Sequence, residues 1–440
     1  MKLSRFNVLR TIDGHHVFFN SRTCVLAVVD DKFMQVYNDV MQRKFDSNKY
    51  DNELVQKMRL SGCLVEDNID ELKDFELHRN IQKYNRNSLS LTIAPTLDCN
   101  FKCIYCFENH IHSFMTMDTQ VRIVKLLTEK INDIRRFSVT WFGGEPLLAK
   151  STIYTLSEKF ITICKAHNVR YVASIITNAS LLTDDDVINF KKFNIRRAQI
   201  TIDGPKKIHD SRRISLNGKS TFNLIVNNVN KLLEAGIRVG VRVNIDKTNV
   251  DDVDELLKIL DARIINKERL VISFGQVFAA QTACKSVGNA CFNDEAYANL
   301  LVPLYERALS YGFKANEMVF YPAPRYNFCG SNKIDSMVID PKGNIYKCWN
   351  HIGESTEICG SISENGGISI SNQYYDWVLD NPLDFEKCRN CNLLPVCAGG
   401  CYDKAKRARG RGPVCLPIKY NIDSIMEHYY MWKYHRTTKL

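Results

Sequence analysis

Three cysteines stand close together in one loop of the sequence. Cys99, Cys103 and Cys106 are spaced C-x3-C-x2-C and directly follow a short apolar run. A closed structural zinc site needs four ligands, and no fourth cysteine or histidine stands at zinc-ribbon spacing, although His110 and His112 keep zinc open as an alternative. Three thiolates instead suit a [4Fe-4S] cluster in which one iron is left open to another ligand. The triplet therefore predicts a metal site that binds a further molecule.

Seven more cysteines form a second arrangement in the last third of the chain. Two closed tetrahedral zinc sites would use eight cysteines rather than seven. Disulfides fit poorly in a chain that carries a cluster in a reducing compartment. The arrangement therefore favours further metal clusters. Its members are Cys329, Cys348, Cys388, Cys391, Cys397, Cys401 and Cys415.

The composition is that of a globular protein. The chain has 440 residues, 45% of them hydrophobic and 25% charged, so it can bury a large core and form two or three domains. No apolar run approaches the roughly 18 to 20 residues of a membrane span, and the N-terminus lacks the apolar core of a signal peptide. We therefore expect a cytoplasmic protein without a membrane partner. In that compartment, sixteen cysteines indicate metal binding or redox chemistry.

The positive charge of the chain is a weaker signal. The formal net charge is +10, and its densest local part is the basic run at residues 403–412. Such a run can bind nucleic acid or an acidic peptide, but a solvated surface is the commoner explanation. Nucleic acid is therefore not an expected partner.

The N-terminal residues 1–69 predict a small separate unit. Asp13 and Gly14 form a hairpin turn between the first two of three short strands. Two helices follow, with an apolar face at residues 33–41 in the first and a second helix at about residues 51–60. The three strands are predicted at residues 5–9, 15–20 and 23–29.

Strands and helices alternate after a charged linker at residues 70–87. Six consecutive strand–helix units in residues 88–280 predict an α/β fold with a parallel sheet that curls into a partial (βα)6 TIM-like barrel. The reactive residues of such a barrel lie at the carboxyl ends of its strands. The six strands are predicted at residues 90–94, 137–142, 170–177, 197–203, 238–245 and 269–277.

Glycines and polar residues follow these strands at their carboxyl ends. The cysteine loop follows the first strand, so the residues after the other strands should lie around it on one rim. Glycines allow close approach of backbone to a ligand, and a carboxylate suits an ammonium group. The rim residues are Gly143, Gly144, Glu145, Pro146, Thr177, Asn178, Asp203, Gly204 and Asn244.

The run CNFKCIYCF, with Tyr105 before its third cysteine, and the GGEP motif after the second strand together resemble radical S-adenosylmethionine (SAM) enzymes. The resemblance implies that Cys99, Cys103 and Cys106 hold a [4Fe-4S] cluster whose open iron binds the methionine part of SAM. Reductive cleavage of SAM would then give a 5'-deoxyadenosyl radical that abstracts hydrogen. An electron donor such as flavodoxin or ferredoxin is implied as a partner. By this resemblance Tyr105 would lie near the adenine, and the motif from Gly143 to Pro146 would hold the methionine ammonium. Weaker candidates for contacts with the ribose and the polar tail of SAM are Thr177, Asn178, Asp203 and Asn244.

The seven C-terminal cysteines resemble those of the SPASM extension, which carries two auxiliary clusters. By this resemblance the chain binds three [4Fe-4S] clusters in all. Residues 325–440 would be the SPASM domain, and residues 281–324 would bridge it to the barrel. The distal cluster would be held by Cys388, Cys391, Cys397 and Cys415, and the near cluster by Cys329, Cys348 and Cys401.

The resemblance also suggests a substrate class. Sulfatase-modifying members have an aspartate after the second near-cluster cysteine, where this chain has Trp349. Most other members modify ribosomally made peptides. The N-terminal unit is similar to a winged-helix element that binds the leader of such a peptide by strand addition, although a plain cap on the barrel is the alternative. The sequence identifies no catalytic base.

The near cluster would lack one protein ligand. Members with a fully ligated near cluster have a cysteine before the first of the seven, and Ala323 stands at about that position. An open iron could hold a substrate thiolate, so we expect a peptide maturase that forms a thioether crosslink. Closure by Cys284, Cys291, Cys359 or water remains open. The alternatives are a carbon–carbon or other oxidative crosslink, sulfatase maturation, and a non-catalytic iron–sulfur or zinc protein that binds nucleic acid.

Overall fold

The computed structural model describes residues 1–108, 110–278, 287–315, 320–408 and 412–434. Its strands are β1 (Lys2–Leu3), β2 (Asn7–Ile12), β3 (His15–Asn20), β4 (Val25–Val29), β5 (Leu64–Val65), β6 (Ser88–Ile93), β7 (Phe101–Cys103), β8 (Arg136–Trp141), β9 (Arg170–Thr177), β10 (Ile195–Thr201), β11 (Arg213–Ser215), β12 (Arg238–Ile245), β13 (Leu270–Gln276), β14 (Lys314–Ala315), β15 (Ser336–Ile339), β16 (Asn344–Tyr346), β17 (Gly360–Ile362) and β18 (Ile368–Ile370). Its α-helices are α1 (Asp31–Met41), α2 (Asn52–Leu60), α3 (Glu71–Lys83), α4 (Met117–Lys130), α5 (Lys150–Ala166), α6 (Asp184–Lys192), α7 (Lys206–Arg212), α8 (Phe222–Glu234), α9 (Val253–Arg263), α10 (Asp294–Ser310), α11 (Asn372–Leu379), α12 (Glu386–Arg389), α13 (Leu394–Cys397), α14 (Tyr402–Arg407) and α15 (Ile418–Tyr434).

A large, mostly parallel sheet forms the centre of the molecule. The six predicted barrel strands lie side by side in the order β13-β12-β10-β9-β8-β6 and pair in parallel. Strands β9 and β12 have the predicted bounds. Along both strands buried residues alternate with partly buried ones, as expected where one face packs on helices and the other lines the interior. The predicted α/β fold with a parallel sheet is confirmed.

The C-terminal region continues the same sheet. Strand β15 pairs in parallel with β6, with Met337 opposite Leu91. Strands β16, β17 and β18 then add in antiparallel order, which brings the sheet to eleven strands. Backbone hydrogen bonds therefore connect this part of the C-terminal region to the strand that precedes the first cysteine loop.

The N-terminal unit is a three-stranded antiparallel sheet with two helices packed on it. Asp13 and Gly14 both have positive φ, as a two-residue hairpin turn requires, so the predicted turn between β2 and β3 is present. The predicted strand at residues 5–9 is wrong in its bounds. Strand β2 begins at Asn7, and a separate short strand, Lys2–Leu3, pairs with β5.

Residues 70–87, predicted as a charged linker, contain the thirteen-residue helix α3. Its Arg79 side chain is buried and donates to the Tyr326 carbonyl at 2.9 Å and to the Asp380 carbonyl at 2.7 Å. Lys83 donates to the same Asp380 carbonyl at 2.9 Å, and burial lowers the pKa of Lys83 to about 8. The charges of Arg79 and Lys83 favour a solvated linker in the sequence, but in the structure both side chains connect this helix to the C-terminal region by hydrogen bonds.

Among the helices described, none is long and apolar enough to cross a membrane.

Candidate functional site

The GGEP loop packs against the loop that carries the first three cysteines. The Gly144 amide donates to the Thr96 carbonyl at 3.3 Å, and the Glu145 amide donates to the Asp98 carbonyl at 2.8 Å. A Cβ atom on Gly143 would lie 2.2 Å from the Thr96 oxygen, and one on Gly144 would lie 2.2 Å from the Asp98 oxygen. Gly143 also has a φ of +111°, which favours glycine. Both glycines are therefore required for the contact between the two loops.

The Glu145 carboxylate joins the GGEP loop to the end of β9. It is fully buried and accepts hydrogen bonds from the Thr177 hydroxyl at 2.6 Å, the Asn178 amide at 2.7 Å and the Leu147 amide at 3.0 Å. Burial raises the pKa of Glu145, and these three donors oppose that shift. The carboxylate therefore joins these segments of the rim, and its contact with a ligand ammonium stays a prediction.

Cys99, Cys103 and Cys106 lie close enough to influence one another's ionisation. Burial is the main cause of the raised pKa of each thiol. Cys103 raises the pKa of Cys99 further, and Cys99 and Cys103 both raise the pKa of Cys106 further. His110 Nε2 lies 3.4 Å from the Cys106 sulfur. His112 lies apart from the sulfurs, with Nδ1 2.8 Å from the Asp98 carboxylate. The three predicted ligands are therefore brought together.

A buried polar cluster stands beside these thiols. The Tyr105 hydroxyl donates to the Asp203 carboxylate, and Arg213 donates to the Tyr105 oxygen at 2.8 Å. The Asn244 amide donates to the other Asp203 oxygen at 2.9 Å. Burial raises the pKa of Asp203, while Arg213 and the Tyr105 hydroxyl lower it. Three predicted site residues are therefore linked in one network.

The arginines of this network were not predicted from the sequence. The Arg213 guanidinium is buried beside Cys103, whose pKa it lowers against the effect of burial. Arg212 forms an ion pair with Asp246 at 2.8 Å. In the sequence two adjacent arginines before an apolar residue carry no signal of burial. Their role depends on the pairing of β11 with β7, which lies a hundred residues earlier.

A cavity of about 500 Å³ opens over the cysteine loop. Its walls include residues from the carboxyl ends of the barrel strands and from the C-terminal region, among them Trp349, whose ring stacks on Phe142 at 5.7 Å. Glu145, Pro146 and Asp203 are not among the lining residues. The predicted site residues that line the cavity are Cys99, Cys103, Tyr105, Cys106, Gly143, Gly144, Thr177, Asn178, Asn244, Cys401 and Cys415.

The C-terminal thiols influence one another's pKa within two groups, and the binding of a cluster by each group stays a prediction. After burial, the causes that raise the pKa of Cys348 include Cys329 and Cys401. The pKa of Cys388 is raised first by burial and then by Cys397, Cys391 and Cys415. Cys401 of the first group and Cys415 of the second group both line the cavity.

Asp403 lies beside the first of these groups and was not predicted. Its carboxylate is buried and lies 2.6 Å from His351 Nε2 and 2.7 Å from Arg407 Nε. Burial raises the pKa of Asp403, but His351, Asn350 and Arg407 outweigh it and bring the pKa to about 2. Asp403 is thus an ionised acceptor that holds the chain near Cys401.

The basic run at residues 403–412 turns its described cations toward the protein. Lys404 donates to Gln276 and to Asp294, both at 2.8 Å, and so bridges α14 to β13 and α10. Lys406 lies within ion-pair distance of Glu357. Residues 409–411 lie outside the described residues. The described part of the run therefore serves internal packing.

The remaining cysteines take several environments. Cys63 and Cys164 are fully buried in apolar clusters, whereas Cys24 is half-buried in a turn. Cys291 packs against the cluster of Val277 and Val287. Cys359 lies next to the Glu357 carbonyl, 3.5 Å from its sulfur. Cys284 lies outside the described residues.

Comparison with known proteins agrees with the site. Residues 93–260 match the profile of the Radical SAM superfamily. A cysteine-type anaerobic sulfatase-maturating enzyme of Clostridium novyi is 24% identical over 338 residues, which cover 71% of this chain and 88% of that protein. Radical SAM cyclopropyl synthase TigE of Paramaledivibacter caminithermalis is 19% identical over 451 residues, which cover 93% of this chain and 91% of that protein.

Two solved structures share the fold. Native anSMEcpe with bound AdoMet and Cp18Cys peptide has a TM-score of 0.60 at 20% identity and covers 78% of this chain and 99% of its own. Streptococcus suis SuiB bound to precursor peptide SuiA has a TM-score of 0.51 at 15% identity and covers 94% of this chain and 98% of its own.

Residues 93–260 therefore form a radical SAM domain, as the cysteine triplet and GGEP motif predicted, and the chain is an enzyme. Enzymes of the superfamily use SAM and a [4Fe-4S] cluster. The residues present fit both groups, because three thiols stand together and two buried polar atoms beside them, Glu108 Oε2 and Arg213 Nε, have no hydrogen-bond partner. Such atoms need a polar partner.

The contact between the two loops makes a first prediction. In Gly144→Ala the new Cβ would collide with the Asp98 carbonyl, so the two loops must move apart. Because displacements of about 1 Å cost up to about a hundredfold in rate, we expect SAM cleavage to fall at least about tenfold and SAM to bind more weakly. The measurements are equilibrium dialysis of SAM and the rate of 5'-deoxyadenosine formation.

Gly240→Ala is the matched control, because Gly240 lies on β12 with nothing within 4 Å of a new Cβ. Unchanged SAM affinity and rate in Gly144→Ala, or an equal loss in Gly240→Ala, would contradict the role of the contact.

Proposed function

We propose that this protein is a radical SAM peptide maturase that crosslinks a ribosomally made precursor peptide, through a thioether from a cysteine of that peptide. One observation carries the proposal. A single cavity is lined both by the cysteine triplet and by Cys401 and Cys415 of the two C-terminal groups. A substrate in this cavity would lie between the site of radical formation and a second set of thiolates.

The cavity has room for this arrangement. Its volume of about 500 Å³ falls within the roughly 300 to 1,000 Å³ of pockets that enclose small organic ligands. One wall of the cavity, where SAM would bind, contains the backbone of Gly143 and Gly144 next to the cysteine loop. Another wall contains Trp349 and Lys404 from the C-terminal region. A substrate side chain would enter between these walls.

Several residues of this chain would hold SAM. The reduced cluster, bound at Cys99, Cys103 and Cys106, would supply the electron that cleaves SAM to methionine and a 5'-deoxyadenosyl radical. The guanidinium of Arg213 suits the SAM carboxylate, because it is buried at the cavity wall with one nitrogen unpaired. Tyr105 is held by Asp203 and Arg213, so its ring would form a fixed wall for the adenine. The backbone of Gly143 and Gly144 would receive the methionine end.

The two C-terminal thiol groups would each bind an auxiliary [4Fe-4S] cluster. Four thiols at Cys388, Cys391, Cys397 and Cys415 can complete a distal cluster. The group of Cys329, Cys348 and Cys401 offers only three. At the position expected for a fourth ligand, Ala323 cannot coordinate metal, and Cys359 is buried against the Glu357 carbonyl. One iron of the near cluster would therefore be open to a substrate ligand.

An open iron facing the cavity supports thioether formation. Iron favours thiolate, so a substrate cysteine bound there would stay deprotonated. Its sulfur would also be fixed where a carbon radical forms on the same peptide. Formation of the carbon–sulfur bond would transfer one hydrogen atom from carbon to the 5'-deoxyadenosyl radical and release one proton from sulfur, and the near cluster would accept the remaining electron.

A crosslink that uses no sulfur is the second candidate, favoured by the similarity to a cyclopropyl synthase over 93% of this chain. The identity of the residue after Cys348 disfavours sulfatase maturation. Residue 349 is a tryptophan whose ring stacks on Phe142, and not an aspartate. A non-catalytic nucleic-acid-binding protein is inconsistent with the radical SAM domain and with the inward ion pairs of Lys404 and Lys406.

The leader of the precursor would bind the N-terminal sheet. Strand β4 is an edge strand that pairs only with β3 among the described strands. The opposite edge strand, β2, is approached by the C-terminal region, since Asn392 donates to the Asn7 carbonyl at 3.3 Å and Arg10 pairs with Asp423 at 2.7 Å. A peptide strand would therefore add to β4. SuiB, with a precursor peptide bound, shares the fold of this chain over 94% of its length.

Proline substitutions on the two edges test this binding mode. Val28→Pro removes an amide of β4 that points away from β3, and so disfavours pairing at the outer edge of the sheet. Loss of one or two hydrogen bonds predicts peptide binding at least about tenfold weaker. Thr11→Pro on β2 is the matched control and should bind normally. Affinity is measured by fluorescence anisotropy of a labelled cysteine-containing precursor peptide, with thermal melting as a folding check.

Equal peptide affinity in both proline variants and the parent protein would support a cap on the barrel instead of a leader-binding unit.

The crosslink is tested with the same precursor and a variant in which its cysteine is serine. We expect the cysteine peptide to lose two hydrogen atoms by mass spectrometry and to resist thiol alkylation. We also expect it to change the EPR spectrum of the reduced enzyme, whereas the serine peptide does neither. Cys348→Ala should remove the crosslink while SAM cleavage persists.

Identical EPR spectra with both peptides, or a crosslink in the serine peptide, would contradict thioether formation and support a crosslink that uses no sulfur.

A further inference from the structure

A short two-stranded ribbon runs through the first cysteine loop. Strand β7 pairs antiparallel with β11, with Cys103 opposite Arg213 and Lys102 opposite Ile214. Side chains alternate between the two faces of such a ribbon. The inner face carries buried Phe101, Arg213 and Ser215. The outer face carries Lys102 and Ile214, which are exposed.

The outer face extends beyond the ribbon at both ends. The Ile104 amide donates to the Arg212 carbonyl, and the Leu216 amide donates to the Asn100 carbonyl, both at 3.0 Å. The side chains of Ile104 and Leu216, which directly extend the ribbon, are exposed like that of Ile214. Their exposed fractions are 37% for Ile104, 43% for Ile214 and 66% for Leu216. Three large apolar side chains held on a hydrogen-bonded ribbon indicate a contact surface.

This surface lies directly behind a cluster ligand. Cys103 is part of β7 and lies on the inner face, between two exposed neighbours, Lys102 and Ile104. A protein seated on the outer face would approach the cluster through the thickness of one strand. The cavity, by contrast, lies on the inner side and would be filled by SAM and substrate.

The charge around the surface is positive. Lys102 is on the ribbon itself, and Lys206, Lys207 and Lys219 are exposed on the segments that flank β11. The acidic residue in this stretch, Asp210, is already engaged, since its carboxylate accepts from the Ser220 hydroxyl and from the amides of Thr221 and Phe222. An acidic partner would be attracted to this face.

We propose that the outer face of the β7–β11 ribbon, formed by Lys102, Ile104, Ile214 and Leu216, is the docking surface for an acidic electron-donor protein with a low-potential flavin or iron–sulfur centre. In the transfer the donor is oxidised by one electron and the bound cluster is reduced by one, with no bond made or broken. The apolar side chains exclude water from the contact, and the lysines orient the donor. The proposal rests on the radical SAM class alone and does not depend on the peptide substrate.

Direct binding provides the first test. Flavodoxin is titrated into the reconstituted full-length enzyme by calorimetry at low and high salt. We expect Lys102→Glu and Leu216→Glu each to weaken binding at least about tenfold, and we expect the parent complex to weaken with added salt. Lys191→Glu and Ile188→Glu are the matched controls, because both residues are exposed on α6, and they should bind like the parent protein.

Comparison of two reductants provides the second test. With reduced flavodoxin, SAM cleavage without peptide should fall at least about tenfold in the two ribbon variants. With dithionite, a small reductant that needs no docking surface, their rates should equal that of the parent enzyme. Unchanged flavodoxin binding would overturn the proposal. Equal losses with both reductants would also overturn it, because the substitutions would then act on the cluster site. Loss of precursor binding with normal flavodoxin binding would assign the surface to the peptide.

Discussion

The backbone contact between the GGEP loop and the cysteine loop is the constraint on which the site depends. Two glycines without side chains let the Gly144 and Glu145 amides reach carbonyls of the segment that leads to Cys99. Glu145 then uses its buried carboxylate to hold Thr177 and Asn178 at the end of the next strand. The polar contacts of this motif with its own protein therefore place three loops around one cavity before any ligand binds. Preorganisation of this kind lowers the cost of orienting a ligand.

The C-terminal region is positioned against this rim by several independent connections. Strand β15 extends the barrel sheet from β6, and Arg79 and Lys83 of α3 fasten residues near Asp380. On the cavity side, Lys404 reaches Gln276 and Asp294. These connections hold Cys401 and Cys415 at the cavity without a separate hinge in the described chain. Such a frame suits a reaction in which a radical formed on one side must meet a group held on the other.

The chemistry of the cysteines was more predictable from the sequence than the network around them. Spacing alone identified the triplet, and the strand–helix pattern located the rim, because both signals are local and periodic. Arg213, Asp403 and Arg79 were missed, since a buried charge differs from a solvated one only in its tertiary partners. The same reason explains why residues 70–87 suggested a linker. Glu145 was identified as a rim residue, whereas the hydrogen bonds of its carboxylate to Thr177 and Asn178 join two βα units and no local pattern encodes them.

The most direct test of the account is SAM cleavage by the anaerobically reconstituted and reduced protein in the absence of peptide. The parent protein should convert SAM to 5'-deoxyadenosine. Cys103→Ala should abolish this conversion and lose the iron of one cluster, while the C-terminal iron remains. Cys164→Ala, at a buried thiol of α5 outside the site, should retain both activity and iron. Formation of 5'-deoxyadenosine by Cys103→Ala at the parent rate would contradict the account.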